Sequence, residues 1–353
     1  MAGSQTRVTP RVLHVVRPSA GGIVSSLCTL LTNSECYSEV ASSADTCAKV
    51  RSRWSGTCHV LPNTAFSIRL SLLTAWRIAR LVKASKTDVI HGHGITVLPA
   101  LALAGMLTGL PVVLTLHNIF SGSRLQTLVL KLLSRKVHLI CVSDAILASA
   151  AVLGGLSAQR IYNGVMLPDE VMSKGDARKL LELPSDEAMV LSVARLSPEK
   201  GLADLAAAAK NIRGRVVIVG DGPERRSLSL CDDVQLIGHV GNPWLWYCAA
   251  DVVAVPSISE GLGLSAIEAL SAGCPVVATD VGGLPEVVSN NVLGSLIASS
   301  DHLALVSTIN RWLDAGRGNV QDEETRRDFV AGRFSVTEML SQTTMLYRRI
   351  LGR

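Results

Sequence analysis

No two of the eight cysteines in this chain are spaced as a Cys-x-x-Cys pair. Cys28, Cys36, Cys47, Cys58, Cys141, Cys231, Cys248 and Cys274 stand singly, and several, such as Cys141 and Cys274, sit inside apolar runs. Buried free thiols are expected rather than disulfides or a zinc site. Long apolar runs are lacking too. The longest, Ile95 to Leu107, is broken by Pro99 and Gly105, and it falls short of the ~20 residues a bilayer span needs. Residues 1–11 are polar and mixed, and the run from Arg11 to Val16 is too short for a secretory core. A soluble, cytoplasmic protein is expected. Aromatics make up 4% of the chain and no basic recognition motif occurs, so nucleic acid is not an expected partner. No Gly-x-Gly-x-x-Gly follows the first strand, which argues against a nicotinamide enzyme.

What is present is a globular composition, 48% hydrophobic and 18% charged, over 353 residues, enough for two cores. The net charge of +5 is unevenly shared. Residues 1–168 carry 16 Lys and Arg against 5 Asp and Glu, whereas residues 169–353 carry 18 against 24. A basic first half implies that it meets something anionic: a membrane surface, a phosphorylated lipid or a phosphate-bearing acceptor. The 66–86 segment sharpens this. Ile68, Leu72, Ala75, Ile78, Ala79 and Val82 share one side of a helix, and Arg69, Arg77, Arg80 and Lys83 another. A solvated face is the default, and peripheral apposition to an anionic membrane is the sharper expectation.

Short apolar strands alternate with helical patterns, the signature of an α/β protein with parallel sheets. Strands are expected near 11–16, 57–61, 87–92, 111–116 and 137–142, then near 189–194, 215–219, 234–237, 252–255, 275–278 and 293–297. Helices are expected near 23–33, 66–86, 95–108, 123–135 and 143–153, and after most later strands. The run Leu167-Pro168-Asp169-Glu170 reads as a linker, giving domains 1–168 and 169–334, with a helix over 335–353. A ligand is expected at the carboxyl ends of the strands, in the cleft between the halves.

The richest stretch is 251–288. An apolar strand, Val252 to Val255, runs into Glu260, then Gly261-Leu262-Gly263, then a helix carrying Glu268, and a second strand ends in Gly282-Gly283. Helix-start amides favour an anion such as a phosphate. Carboxylates only accept hydrogen bonds, so they suit hydroxyl groups. Eight positions separate Glu260 from Glu268, about two helical turns or roughly 12 Å of rise. An anionic ligand with hydroxylated flanks, such as a sugar nucleotide, has the matching pattern. Either glutamate alone is ordinary capping or a solvated face.

The combination is more specific. With Pro256-Ser257-x-x-Glu260-Gly261-x-Gly263-Leu264, Glu268 and Gly282-Gly283-Leu284-Pro285-Glu286, the chain resembles retaining glycosyltransferases of the GT-B architecture. These are the large family 4 type (glycosyl transferases group 1), which includes sucrose-phosphate and glycogen synthase-like enzymes. The resemblance covers nearly the whole chain and is strongest from 189 to 288. It implies two facing, doubly wound Rossmann-like domains, the first for the acceptor and the second for the nucleotide sugar, and a C-terminal helix crossing back to the first.

The resemblance assigns the remaining motifs. Arg195 and Lys200, in Val193-Ala194-Arg195-Leu196-Ser197-Pro198-Glu199-Lys200-Gly201, match the cations that bind the donor diphosphate. Two cations and helix amides neutralise a leaving diphosphate without a metal. Their plain alternative is a solvated strand-end Arg and a helix-cap Lys. Glu260 would hold the sugar hydroxyls and Glu268 the ribose, with the amides of Gly261, Leu262, Gly263 and Leu264 at the diphosphate. Gly238, His239 and Val240, after the 234–237 strand, match the base-contacting backbone, with His239 the weaker member. Gly21 and Gly22, after the first strand, match a donor contact, although the acidic residue often found shortly after this pair is missing. His117 matches a histidine that meets the donor sugar; a backbone-satisfied loop histidine is its alternative. Gly220-Asp221-Gly222-Pro223 and Ser143-Asp144 read as a turn and a helix cap. His91 and His93 face one side of one strand, but with no third ligand apparent a metal is not expected. Asp-x-Asp, the metal–diphosphate anchor of the other main glycosyltransferase architecture, is absent.

The expected function is metal-independent transfer of a hexose from a nucleoside diphosphate sugar, UDP-linked in preference to GDP-linked, to a hydroxyl acceptor with retention. The expected setting is polysaccharide, glycolipid or cell-envelope glycan synthesis, with no cofactor beyond the donor and a possibly lipid-linked acceptor at the inner membrane face. The rival readings are a sugar-nucleotide epimerase of similar fold and a non-catalytic sugar-nucleotide-binding protein.

Overall fold

The computed structural model describes residues 9–19, 21–62, 68–119, 131–132, 137–151, 157–168 and 172–352. The chain divides into two compact units: Met1–Gly164 with Val336–Arg353, and Val165–Ser335.

The first unit is built on seven parallel strands in the order β3-β2-β1-β4-β5-β6-β7. They are β1 Arg11–Val16, β2 Tyr37–Ser42, β3 Cys58–Val60, β4 Val89–His93, β5 Val112–Leu116, β6 Val137–Cys141 and β7 Ala158–Arg160. The second unit has six parallel strands in the order β10-β9-β8-β11-β12-β13. These are β8 Met189–Val193, β9 Arg215–Val219, β10 Val234–Gly238, β11 Val252–Val255, β12 Val276–Thr279 and β13 Gly294–Ile297. β-Branched runs such as Val112-Val113 and Val252-Val253 form strands because parallel sheets are covered on both faces. These four valines are at most 2% exposed.

In each unit the chain steps outward from its first strand, then returns to that strand's other side. The order therefore reverses between β1 and β4 and between β8 and β11. Such switch points leave a crevice beyond the carboxyl ends of the strands, where ligands bind open α/β sheets. The strand pattern is the doubly wound one expected. Strand β2, the Ala44–Arg51 helix and β7 lie beyond that reading. The sequence of β2 has a core of only Val40 and Ala41 within a polar frame, and β7 is three residues long.

The C-terminal helix, Val336–Ile350, belongs to the first unit, as the family resemblance implies. Its Val336, Met339, Leu346 and Tyr347 share a core with Val12, Leu30, Val89 and Val113. The Gly164 amide donates to Met339 Sδ at 3.2 Å. All eight cysteines are free thiols, six of them buried. The basic helix spans Ile68–Ser85. Ala75, Ile78 and Val82 are buried, whereas Leu72, grouped with them by periodicity, is exposed beside Leu73 and Trp76. Most of the helix expected over 123–135 lies outside the described residues, as do the end of that over 143–153, residues 66–67, and Asp169 and Glu170 of the linker. No described helix is long and apolar enough to cross a membrane.

Candidate active site

The crevice of the second unit starts from the loop after β8. Three backbone bonds hold that loop to the neighbouring turn: Ala194 N to Val219 O at 3.1 Å, Leu196 N to Asp221 O at 3.0 Å and Glu224 N to Leu196 O at 3.0 Å. The Gly220–Pro223 turn thus braces the segment that carries Arg195, which is exposed. Lys200 ends the short turn Pro198–Lys200, and Gly201 follows at φ +61°. A side chain at Gly201 would collide with the Pro256 carbonyl, and one at Gly282 (φ +56°) with the Glu260 carbonyl. Glycine at these two places lets the loops after β8 and β12 close on the loop after β11.

That closure assembles a compact polar group. Lys200 Nζ donates to Glu260 Oε2 at 2.5 Å, and Ser257 Oγ donates to the same oxygen at 3.2 Å. The Gly261 amide donates to Glu260 Oε1 at 3.2 Å. Ser257 is itself held, its carbonyl accepting from Thr279 Oγ1. Burial works to raise the nearby Glu199 carboxyl, but bonds from Ser197 and its own backbone and the charges of Arg195 and Lys200 outweigh it and hold it low.

One geometric expectation needs correction. The helix runs from Leu264 to Ser271 with Gly263 as an N-cap that offers no side chain. Glu260 therefore precedes the helix, and its separation from Glu268 is not two helical turns. The helix start, with Gly261 and Leu262 buried ahead of it, has first-turn amides that no side chain caps, a place that favours an anion. Glu268 stands apart from the Glu260 group. Its carboxylate accepts from Tyr247 Oη at 2.8 Å. Burial raises Glu268 while the Tyr247 bond offsets part of the rise. Burial, then the Glu268 charge, pushes Tyr247 well above its ordinary value, so the phenol stays protonated as donor. Gly238 is buried at φ +90°, its carbonyl accepting from Gly220 N at 2.8 Å. His239 beside it is exposed and Val240 half-buried.

In the first unit, Gly21 (φ +67°) caps the Gly22–Asn33 helix, both glycines are exposed, and nothing lies within 4 Å of a Cβ built on Gly21. Ser143 caps its helix as expected, accepting from Ile146 N at 3.1 Å. His117 follows β5 and is buried. With its amide turned to satisfy both ends, Asn118 donates to the His117 carbonyl at 2.8 Å and accepts from Arg17 Nη2 at 3.2 Å. Burial, with Arg17 adding to it, lowers His117 to about 3.

The expectation of no third ligand beside His91 and His93 is overturned. His14 of β1 lies in register with His91, and one ring nitrogen each from His14, His91 and His93 fall within 4.8 Å of one another. These three are the residues that would hold a metal. Both nitrogens of His91 are already engaged, with Tyr347 Oη at 2.5 Å and Thr115 Oγ1 at 2.7 Å. Both of His93 are too, with His14 Nδ1 at 3.1 Å and His117 Nε2 at 3.4 Å.

His14 and Tyr247 are the contributors that motif reading missed. His14 lies 79 residues before His93, and Tyr247 lies 21 before Glu268. Neither spacing is local, and only strand register and helix packing bring the pairs together. Ser257, by contrast, stood inside the Pro-Ser-x-x-Glu run.

Residues 173–331 match the family described as glycosyl transferases group 1, and residues 26–167 match Glycosyltransferase Family 4. The chain is 33% identical over 220 residues to D-inositol 3-phosphate glycosyltransferase of Mycobacterium tuberculosis, across 54% of this chain and 44% of that protein. It thus spans less than half the length of the curated relatives it matches. Among solved structures, a glycosyltransferase from Rickettsia africae is similar at a TM-score of 0.83 and 19% identity, over 98% of this chain and 99% of the other. HepE from Anabaena in complex with UDP and glucose is similar at 0.81 and 23%, over 96% and 99%. Sucrose-phosphate synthase from Thermosynechococcus elongatus is similar at 0.79 and 21%, over 97% and 99%.

Proposed function

Because the chain belongs to the family 4 type of GT-B glycosyltransferases, we propose that it transfers a sugar from a nucleoside diphosphate sugar to a hydroxyl acceptor with retention of configuration. The observation that carries this reading is the Lys200–Glu260–Ser257 group at the β8/β11 switch point. Lys200 is poised there as a cation whose position is already set by Glu260. On donor binding, Arg195, Lys200 and the helix-start amides stabilise charge building on the departing diphosphate. Glu260 takes sugar hydroxyls, Glu268 takes the ribose hydroxyls and His117 meets the donor sugar. Gly238, His239 and Val240 border the base, and Gly21 and Gly22 allow close approach of the donor. No side chain acts as nucleophile or base in this scheme, and the leaving phosphate serves the incoming hydroxyl.

A UDP-linked hexose is the preferred donor, supported by HepE, a fold relative described in complex with UDP-glucose. The excess of cations in residues 1–168 supports an anionic acceptor or surface. Exposed Leu72, Leu73 and Trp76, with Arg77 and Arg80 on the same helix, favour peripheral membrane contact. The setting we propose is glycolipid, polysaccharide or cell-envelope glycan synthesis at the inner membrane face.

The test is product formation from a panel of UDP- and GDP-sugars, with and without an acceptor-containing lysate. Transfer only with acceptor supports the proposal. Isomerised donor without acceptor selects an epimerase, and binding without turnover selects a non-catalytic protein.

A further inference from the structure

Four imidazoles lie together beside the β1/β4 switch point: His14 on β1, His91 and His93 on β4, and His117 just after β5. His14, His91 and His93 project to one face of adjacent strands, where apolar side chains fill most positions. They are at most 2% exposed, and His117 is 8% exposed. Rings this deeply buried and bonded to one another, with no acidic partner at any of their bonds, are held as neutral imidazoles.

Their hydrogen bonds form a chain. His14 Nδ1 meets His93 Nε2 at 3.1 Å, and His93 Nδ1 meets His117 Nε2 at 3.4 Å. A neutral imidazole has one N–H and one bare nitrogen. His93 bonds through both, so it donates to one neighbour and accepts from the other. Only two proton arrangements satisfy both bonds. In the first, His14 Nδ1–H donates to His93, whose Nδ1–H donates to His117, leaving the His117 proton on Nδ1. In the second, every donor and acceptor is reversed, and His117 Nδ1 is bare. Interconversion needs a proton to enter at one end, His14 Nε2 or His117 Nδ1, and another to leave at the other, so the three rings change tautomer together or not at all, and His14, 2% exposed, sits at the better-buried end. The longer link is the outer one, and catalytic hydrogen bonds commonly tighten once substrate binds.

We propose that His93 and His14 are positioning residues for His117: through this chain they fix whether His117 Nδ1 offers a donor or an acceptor to a hydroxyl of the donor sugar. The functional half of this inference rests on the reading that His117 meets that sugar. His91 is not in the chain. Its two nitrogens are committed to Tyr347 and Thr115, which ties the C-terminal helix to the sheet. These commitments also favour a hydrogen-bonded chain over a metal centre at the same rings.

The test is 15N NMR of the full-length protein labelled at histidine. In the wild type, His117 should show a single tautomer, with scalar coupling across the two N–H···N bonds. In His14→Phe, two rings away, the His117 ring signals should shift toward a tautomer mixture and the donor KM should rise at least about twofold, in inverse proportion to the fraction of His117 left in the competent tautomer, with kcat nearly unchanged. A mixed His117 tautomer in the wild type, or His117 signals indifferent to His14→Phe, overturns the inference. The wild-type measurement decides it even where His14→Phe does not fold. Stoichiometric uptake of Co(II) by the wild type, displacing the three ring signals, also overturns it and makes the trio a metal site. His117→Ala separates the two readings. An unchanged donor KM there sinks the sugar contact, whereas a raised KM with no tautomer response to His14→Phe sinks the chain alone.

Discussion

The two sheets reverse their strand order in the same way, yet the residues at the two reversals differ in kind. At β8/β11 the polar groups are charged, stand in loops beyond the strand ends, and are paired with each other, Lys200 with Glu260. At β1/β4 they are neutral rings within the sheet, closed off from water. Topology supplies a crevice at both places, and solvation decides what can line it. A charge needs water, a counter-ion or a ligand, so it stands at the loop; an imidazole can shed its proton, so it can go inside. The largest expected effect tests the charged side. Lys200→Ala or Glu260→Ala should cut kcat by at least about a hundredfold, as loss of a transition-state charge contact does, with circular dichroism unchanged. Near-normal turnover in a folded variant would reduce the pair to a structural salt bridge.

The next effect tests the neutral side. His14 is lowered to about 3 in the fold and has an ordinary value near 6.5 in the unfolded chain. The folded state then declines a proton that the unfolded state accepts. Stability from this group is complete above pH 6.5 and is lost as pH falls toward 3. Between pH 6.5 and 5 the loss is about 2 kcal/mol for one such histidine. Urea unfolding across that range should show stability falling with acid, and the slope should lessen in His14→Phe. A wild-type slope already flat between pH 7 and 5 would mean that the rings are hydrated and the contrast between the two crevices is false.

The charged crevice was largely legible in the sequence, and the neutral one was not. Arg195, Lys200, Glu260 and Glu268 occur in two short runs, each a strand end, a glycine turn and a helix start, so local spacing brings out the runs and the family resemblance supplies the roles expected of them. Even there the eight-residue spacing misled, because Gly263 delays the helix until Leu264. The histidines carry only a period of two along β4. Their partner on β1 follows from strand order, which reads out of the topology as a whole. Tyr247 is hidden for the same reason: its bond to Glu268 crosses between two helices. Strand β2 was missed because Tyr37 and Ser38 begin it and Glu39 interrupts it, although Glu39 is satisfied inside by His59 at 2.7 Å.

Tyr247 offers a finer probe of the charged side. Tyr247→Phe removes the hydroxyl and keeps the ring, leaving a half-buried Glu268 without its donor. Loss of one hydrogen bond to a charged group is worth about 1.5–3 kcal/mol when the group stays dry, and less where water replaces it. On the proposed reading UDP affinity, followed by calorimetry, should weaken roughly tenfold. The Glu260 group is separate, so kcat at saturating donor should hold. A fall in kcat with UDP affinity intact would move Glu268 from the ribose to the reacting centre.

The smallest expected effect is on chelation, and it bears on both crevices together. If Arg195, Lys200 and the helix-start amides suffice for the diphosphate, EDTA should leave the rate unchanged. His14, His91 and His93 are the one three-ligand group among the described residues, and the ring nitrogens of His91 and His93 are spoken for by hydrogen bonds. Activity lost to EDTA and restored by Mg(II) or Mn(II) would transfer diphosphate neutralisation from Lys200 to an ion. Activity restored by Zn(II) alone would point instead to the imidazoles. The neutral crevice would then acquire a charge from outside, and the division between a wet, charged switch point and a dry, neutral one would fail at its dry end.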